Sequence, residues 1–209
     1  MRGKATSQQA EERRAAAEAG IRAKIARLGG VAGLEPVFTR FGDDCFAQRR
    51  DWLDDRSPAR PVLSCNMAAT AYFGVRGGDV AAVLPGIRNA GLTAWGPQDA
   101  DGQEDAYAAG TIRYAIKYLH DQGRFTDGRL MASPALKAPG LGIDWDRQGL
   151  PLVNVVEEPK PCDAQYATEI YHRCESDPKG SVAEARARYG TVLTLSVDAT
   201  GYFTVARKG

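Results

Sequence analysis

The segment that most constrains this chain is Pro61-Val-Leu-Ser-Cys65-Asn-Met-Ala-Ala-Thr-Ala-Tyr-Phe-Gly74. An extended run, Pro61-Val62-Leu63, gives way at Cys65 to a stretch of small residues. Met67, Ala68, Ala71 and Tyr72 recur at helical spacing and Gly74 is a stop, so a helix opening at Cys65 is expected. A helix N-terminus carries partial positive charge and unpaired N–H groups, which stabilise a thiolate and lower a thiol's pKa. On that geometry Cys65 is a candidate nucleophile. The same segment also suits an inert core cysteine, because free cysteine is among the most buried residue types.

Composition narrows the function classes. At 209 residues, with 44% hydrophobic and 25% charged residues, the chain is that of a water-soluble globular protein. A net charge of +1 gives no field directed at nucleic acid or an anionic membrane, and neither is expected as a partner. No apolar run approaches the ~20 residues that span a bilayer. The N-terminus lacks a hydrophobic signal core, so the expectation is cytoplasmic synthesis without Sec export. Action elsewhere then needs a specialised secretion route or a virion. Four cysteines (Cys45, Cys65, Cys162 and Cys174) are too few for a disulfide scaffold, and no CxxC occurs. Cys162 and Cys174 flank His172, where a local disulfide or a metal site can be drawn. One histidine without paired spacing argues against the metal, so no metal and no cofactor are expected.

Helices come first along the chain and strands last, an α+β ordering. Ser7 to Leu28 is an expected helix, with Ser7 as N-cap, Gly29-Gly30 as stop and a narrow stripe of Ile21, Ile25 and Leu28. Residues 1–30 are thus taken as an N-terminal helical arm, packed by that stripe or docked on a partner, and 31–209 as a single α+β domain. Residues 31–62 are irregular, with an exposed loop over 51–61. Asp79 caps a helix through Val80, Val83, Leu84 and Ile87, kinked at Pro85. Leu92 to Trp95 is a short strand candidate. The acidic stretch 99–105 lacks the oxygen ligands of an EF-hand and instead caps a helix over about 105–122. His120 falls on its polar side. After a Gly/Pro-rich middle in which only Leu152 to Val156 is strand-like, Ser181 caps a short helix. A hairpin follows, with strands 191–197 and 202–206 about a turn at Asp198-Ala-Thr-Gly201.

A thiol nucleophile needs a base, a group to orient that base and a donor for the oxyanion. Of the two histidines, His172 is the preferred base. On a strand it shares a face with Thr168, Ile170 and Cys174, although the same stretch also fits a helix. Asp177, in Ser176-Asp-Pro-Lys-Gly180, can orient it; a purely structural His172 and a plain turn aspartate remain open.

Gln48, the loop that follows it, and Ser64-Cys65-Asn-Met-Ala-Ala-Thr-Ala71 together resemble the papain-superfamily cysteine peptidases of the double-glycine-leader-peptidase-like branch. The resemblance implies a papain-like fold, with the N-terminal helical part packed on a small antiparallel sheet. It implies Gln48 as oxyanion donor, Cys65 as nucleophile, His172 as base and Asp177 as orienting acid. The implied reaction is hydrolysis of an amide through a thioester, with a peptide or cell-wall peptide as substrate. Only five positions separate His172 from Asp177, shorter than the family's strand and turn. The rival expectation is a non-catalytic assembly or interaction protein, such as a phage-particle or secretion-machine component.

Overall fold

In the computed structural model the residues after Cys65 form a strand, not a helix. The structure describes residues 1–47, 61–162 and 169–206. In chain order the elements are Arg2–Ala5 (α1), Gln8–Gly29 (α2), Leu34–Ala47 (β1), Leu63–Val75 (β2), Val80–Asn89 (α3), Ile112–His120 (α4), Leu136–Ala138 (β3), Leu141–Trp145 (β4), Glu169–Asp177 (β5), Val182–Tyr189 (α5) and Val192–Val205 (β6). The strands form one antiparallel sheet in the order β3-β4-β6-β2-β1-β5. The α+β class holds at this level, with helices interspersed among the strands rather than segregated at the start of the chain.

The small residues of β2 carry two patterns at once. Read at period 2, Leu63, Cys65, Met67, Ala69, Ala71 and Phe73 are buried on one side, while Ser64, Asn66, Ala68 and Thr70 face the other. Alanine favours helix in isolation. Flanked by β1 and β6, however, the segment gains backbone partners on both sides and a fully buried apolar face, and that tertiary setting outweighs propensity.

α2, α3 and α4 cover that apolar face, where Ile21, Leu28, Leu84, Ile87 and Ile112 meet Phe41, Phe73 and Leu195. α5 packs on the opposite face at one end, with Val182 and Ala185 against Phe38, Tyr72 and Val192. The 154–162 segment also crosses that second face, with Val156 on Phe38 and Tyr72, the Lys160 carbonyl on Arg40 and the Cys162 carbonyl on His172, while Ala68, Ser196 and Asp198 are exposed.

Three helices begin at the expected caps. Ser7 Oγ accepts from Ala10 N at 3.3 Å, Asp79 Oδ1 from Ala82 N at 3.2 Å, and Ser181 Oγ from Glu184 N at 3.1 Å. Ile21 and Leu28 of α2 are buried in the main core with Ile25 packed against it, as the packed alternative for the N-terminal helix requires, and Ala10 and Arg14 of the same helix are buried too. Other expectations need correction. Within the stretch 31–62, read from sequence as irregular, Leu34–Ala47 forms β1, whose run of Asp43 and Asp44 hides the alternation. The helix expected over 105–122 spans only Ile112–His120, because Asp99 and Asp105 cap turns of their own loop and Thr111 Oγ1 is the true N-cap, accepting from Tyr114 N at 3.1 Å. Neither Leu92 to Trp95 nor Leu152 to Val156 is a strand.

The C-terminal hairpin is replaced by one long strand. β6 runs beside β2 throughout, and Thr200-Gly201-Tyr202 bulge out opposite the single residue Asn66. Gly201, at φ 64°, makes the bend, and its N–H donates to Asn66 Oδ1 at 2.8 Å. A turn signal and a bulge signal share the same residues, and only the neighbouring strand distinguishes them.

Candidate functional site

Cys65 lies opposite Cys45 in the β1–β2 ladder, and the two sulfurs are joined as a disulfide with a Cα–Cα distance of 4.0 Å. Both residues are 0% exposed, packed with Ala5, Ala10, Leu63 and Phe203 beneath the first turns of α1 and α2. The two sequence expectations for Cys65 are therefore corrected. It does not open a helix, and its sulfur is not a thiolate but half of a covalent cross-link. Spacing did not reveal the pairing, because only the strand register brings residues 20 positions apart face to face.

His172 is on β5, as the strand alternative requires, but it does not meet Cys65. Its cross-strand partner is Asp44, whereas Cys45 is paired with Tyr171. Successive residues of a strand point to opposite faces. Cys45 and Cys65 face the helices, and His172 lies on the second face. Asp177 closes the other end of β5, five residues on at about 3.3 Å each and opposite in parity, so it does not orient the imidazole. Gln48 lies outside the described residues. His120 is exposed, as expected of the polar side of its helix, with Nδ1 at 2.9 Å from Asp121 Oδ1.

On that second face a different polar group assembles around His172. Nδ1 lies 2.5 Å from Asp44 Oδ1 and 3.1 Å from Glu169 Oε1. Nε2 lies 3.0 Å from the Cys162 carbonyl oxygen. A register shift between β1 and β5 makes the Glu169 contact possible: Cys45 pairs with Tyr171 but Phe46 with Glu169, leaving Ile170 as an extra residue. The bulge turns Glu169 onto the face of His172, which a regular strand would deny to residues three apart. The Asp44 hydrogen bond, followed by that of the Cys162 carbonyl, holds the His172 pKa above its ordinary value. Asp44 is also raised, by burial first, with Glu169 adding to the rise.

Two thiols border this group. Cys174 follows His172 by two residues on the same face and is hydrogen-bonded to Cys162. Burial, then that contact, push the Cys174 thiol up to about 12. Arg40 of β1 donates Nη1 to Cys162 Sγ and Nη2 to the Lys160 carbonyl at 2.7 Å. Chemically the cluster offers two carboxylates, an imidazole with fixed ring orientation and a pair of thiols. Asp44 and Glu169 were not among the sequence candidates, since neither alternation nor spacing links residue 44 to residue 172.

A second concavity, of about 730 Å³, lies between the C-terminal half of α2 and the start of β1, walled by Ile25, Gly29, Pro36, Val37 and Phe73, with Arg22 and Asp177 also lining it. Among the described residues β5 stops at Asp177, opposite Thr39, so no strand covers β1 before that point. No helix among the described residues is long and apolar enough to cross a membrane. Comparison of the chain with family models, with curated proteins and with solved structures gives no match.

Proposed function

We propose that this chain is a non-catalytic interaction domain that works in an oxidising compartment, its Cys45–Cys65 bond serving to clamp β1 to β2 near one end of their ladder. The observation that carries this is the state of Cys65: a buried disulfide sulfur on the face away from His172 has neither charge nor base. Disulfides persist where the surroundings are oxidising, which favours action outside a reducing cytoplasm. The α2–β1 cleft supports a protein partner and retains a role for the N-terminal helix, now as one wall of a groove. Pro36 and the register shift between Pro36 and Phe38 blunt this sheet edge against strand addition. The groove therefore suits apolar side chains of a partner.

The test is alkylation of the native protein by iodoacetamide without reductant, followed by peptide mapping, together with an assay for amide hydrolysis before and after reduction. Cys45 and Cys65 should remain unmodified, and no hydrolysis should appear in either redox state. Labelling of Cys65 in the native state, or a peptidase activity lost in Cys65→Ser, overturns the proposal and restores the thiol-hydrolase alternative.

A further inference from the structure

We propose that Asp44, Glu169 and His172 form a binding site for one divalent transition-metal ion of the zinc class, entered from the second face of the sheet. The three side chains present donor atoms that all lie within 4.8 Å of one another. They come from two adjacent strands, so their spacing is set by the β1–β5 register and by the Ile170 bulge rather than by a loop. This rigid mounting is what a preorganised site requires.

The hydrogen bonds fix the orientation of the imidazole. Nε2 is committed to the Cys162 carbonyl at 3.0 Å, an acceptor, so it carries the ring proton. Metal-bound histidines are oriented in this way, with the second ring nitrogen donating to a carbonyl or carboxylate. Nδ1 faces Asp44 Oδ1 at 2.5 Å and Glu169 Oε1 at 3.1 Å, and in the protonated imidazolium its N–H donates to Asp44. A divalent ion takes the place of that proton and engages all three donor atoms.

Size and ligand chemistry select the ion. Zinc bonds of about 2.0–2.2 Å in tetrahedral array place ligand atoms about 3.3 Å apart. The Nδ1–Glu169 separation is already close to that, and the Nδ1–Asp44 separation widens to it by about 0.8 Å through rotation of the Asp44 carboxylate. An imidazole nitrogen with two carboxylates suits zinc, cobalt or manganese better than magnesium or calcium, which prefer oxygen throughout. The side chains of His172 and Asp44 are 20% and 32% exposed and that of Glu169 5%, so water can reach the ion and complete its coordination.

The test uses the full chain with its disulfide intact, stripped of metal by a chelator and titrated calorimetrically with zinc chloride. One equivalent should bind and raise the melting temperature, and magnesium should not compete. Asp44→Asn, Glu169→Gln and His172→Ala should each weaken zinc binding by at least about tenfold. Their metal-free melting curves show whether they fold, and His120→Ala should bind as the parent does. The Cys162→Ser/Cys174→Ser double variant should keep zinc affinity, and cobalt substitution should give no thiolate charge-transfer band. Absence of zinc binding at millimolar concentration leaves a proton-bridged cluster and overturns the proposal. Loss of binding in the double-cysteine variant, or a thiolate–cobalt band, assigns the ion to the thiols and also overturns it.

Discussion

Arg14 of α2 donates Nε to Asp43 Oδ2 of β1 at 2.6 Å, joining the longest helix to the sheet through an ion pair whose carboxylate is fully buried. Asp43 Oδ1 accepts from the Tyr202 hydroxyl at 2.6 Å, and the Arg14 guanidinium lies over the Tyr171 ring, 4.1 Å from its centroid. Arg14 Nη2 donates to the Ala5 carbonyl at 3.0 Å. Burial, then Asp43, hold the Tyr202 hydroxyl above its ordinary pKa, so it stays protonated and remains a donor. Removing one partner leaves the other charge buried without compensation. Arg14→Ala and Asp43→Ala should each cost about 3–5 kcal/mol. Chemical denaturation of single and double variants checks this, and the double variant should lose less than the sum of the singles.

The Cys45–Cys65 cross-link lies within the same buried layer and closes a 20-residue separation. It should contribute about 3 kcal/mol, mainly by restricting the unfolded chain. A Cys45→Ser/Cys65→Ser variant should therefore unfold at lower denaturant concentration than the parent. Titration of the parent with a thiol reagent should find two free thiols in the native state. All four should appear after reduction and unfolding.

The surviving thiols should differ in rate. The Cys174 pKa, raised to about 12 by burial and by the Cys162 contact, leaves little thiolate at neutral pH. Iodoacetamide should therefore modify Cys162 first and Cys174 far more slowly, as read by mass spectrometry of the two peptides. An added disulfide oxidant such as oxidised glutathione should convert the pair to a second disulfide. Each thiol gives up its proton and one electron, and the glutathione disulfide is reduced to two thiols.

Some of this architecture is legible in the chain and some is not, for physical reasons that attach to particular residues. Ser7, Asp79 and Ser181 announce their helices because a cap is a local event, complete within four residues. β1 escapes notice because Asp43 sits where alternation demands an apolar residue, and its neutralising partner is 29 residues upstream. Cys65 misleads because small residues satisfy both a period of 3.6 and a period of 2, so the flanking strands decide between them. The Asp44–His172 contact spans 128 positions and the Glu169 contact depends on a bulge, neither of which leaves a periodic trace. His172 is legible as a chemically interesting residue, but its partners are not.

Glu18 offers a pH-dependent check on the docking of α2. Burial raises its pKa, but hydrogen bonds from Arg173 and Arg22 outweigh this and hold it below the ordinary carboxylate value. A carboxylate depressed on folding stabilises the native state above its unfolded pKa of about 4.3. That contribution fades as pH falls through the lower folded value. Glu18→Gln should accordingly be less stable than the parent at neutral pH, by up to about 1 kcal/mol since the ion pairs are partly solvated. The gap should close on the acid side of both values. Melting temperatures of the two proteins across an acid titration measure it, and a gap that is constant with pH would assign the loss to packing instead.

Gly74 has a role that its place at the end of the Ala-rich segment disguises. A helix stop would tolerate many residues, but on β2 this glycine lies directly under the Tyr189 ring of α5. A Cβ added there would stand 2.1 Å from Tyr189 Cδ2 and 2.3 Å from Cγ, closer than any real contact. The ring belongs to a helix held by Val182 and Ala185, so it cannot simply withdraw. Gly74→Ala should cost about 1–3 kcal/mol through overpacking, although alanine is the gentlest change available. Gly74→Ala combined with Tyr189→Ser should recover part of that loss relative to the sum of the two single changes, because the ring that clashes is gone. Urea denaturation of the four proteins decides it, and strict additivity would show that the cost comes from the β2 backbone rather than from the α5 contact.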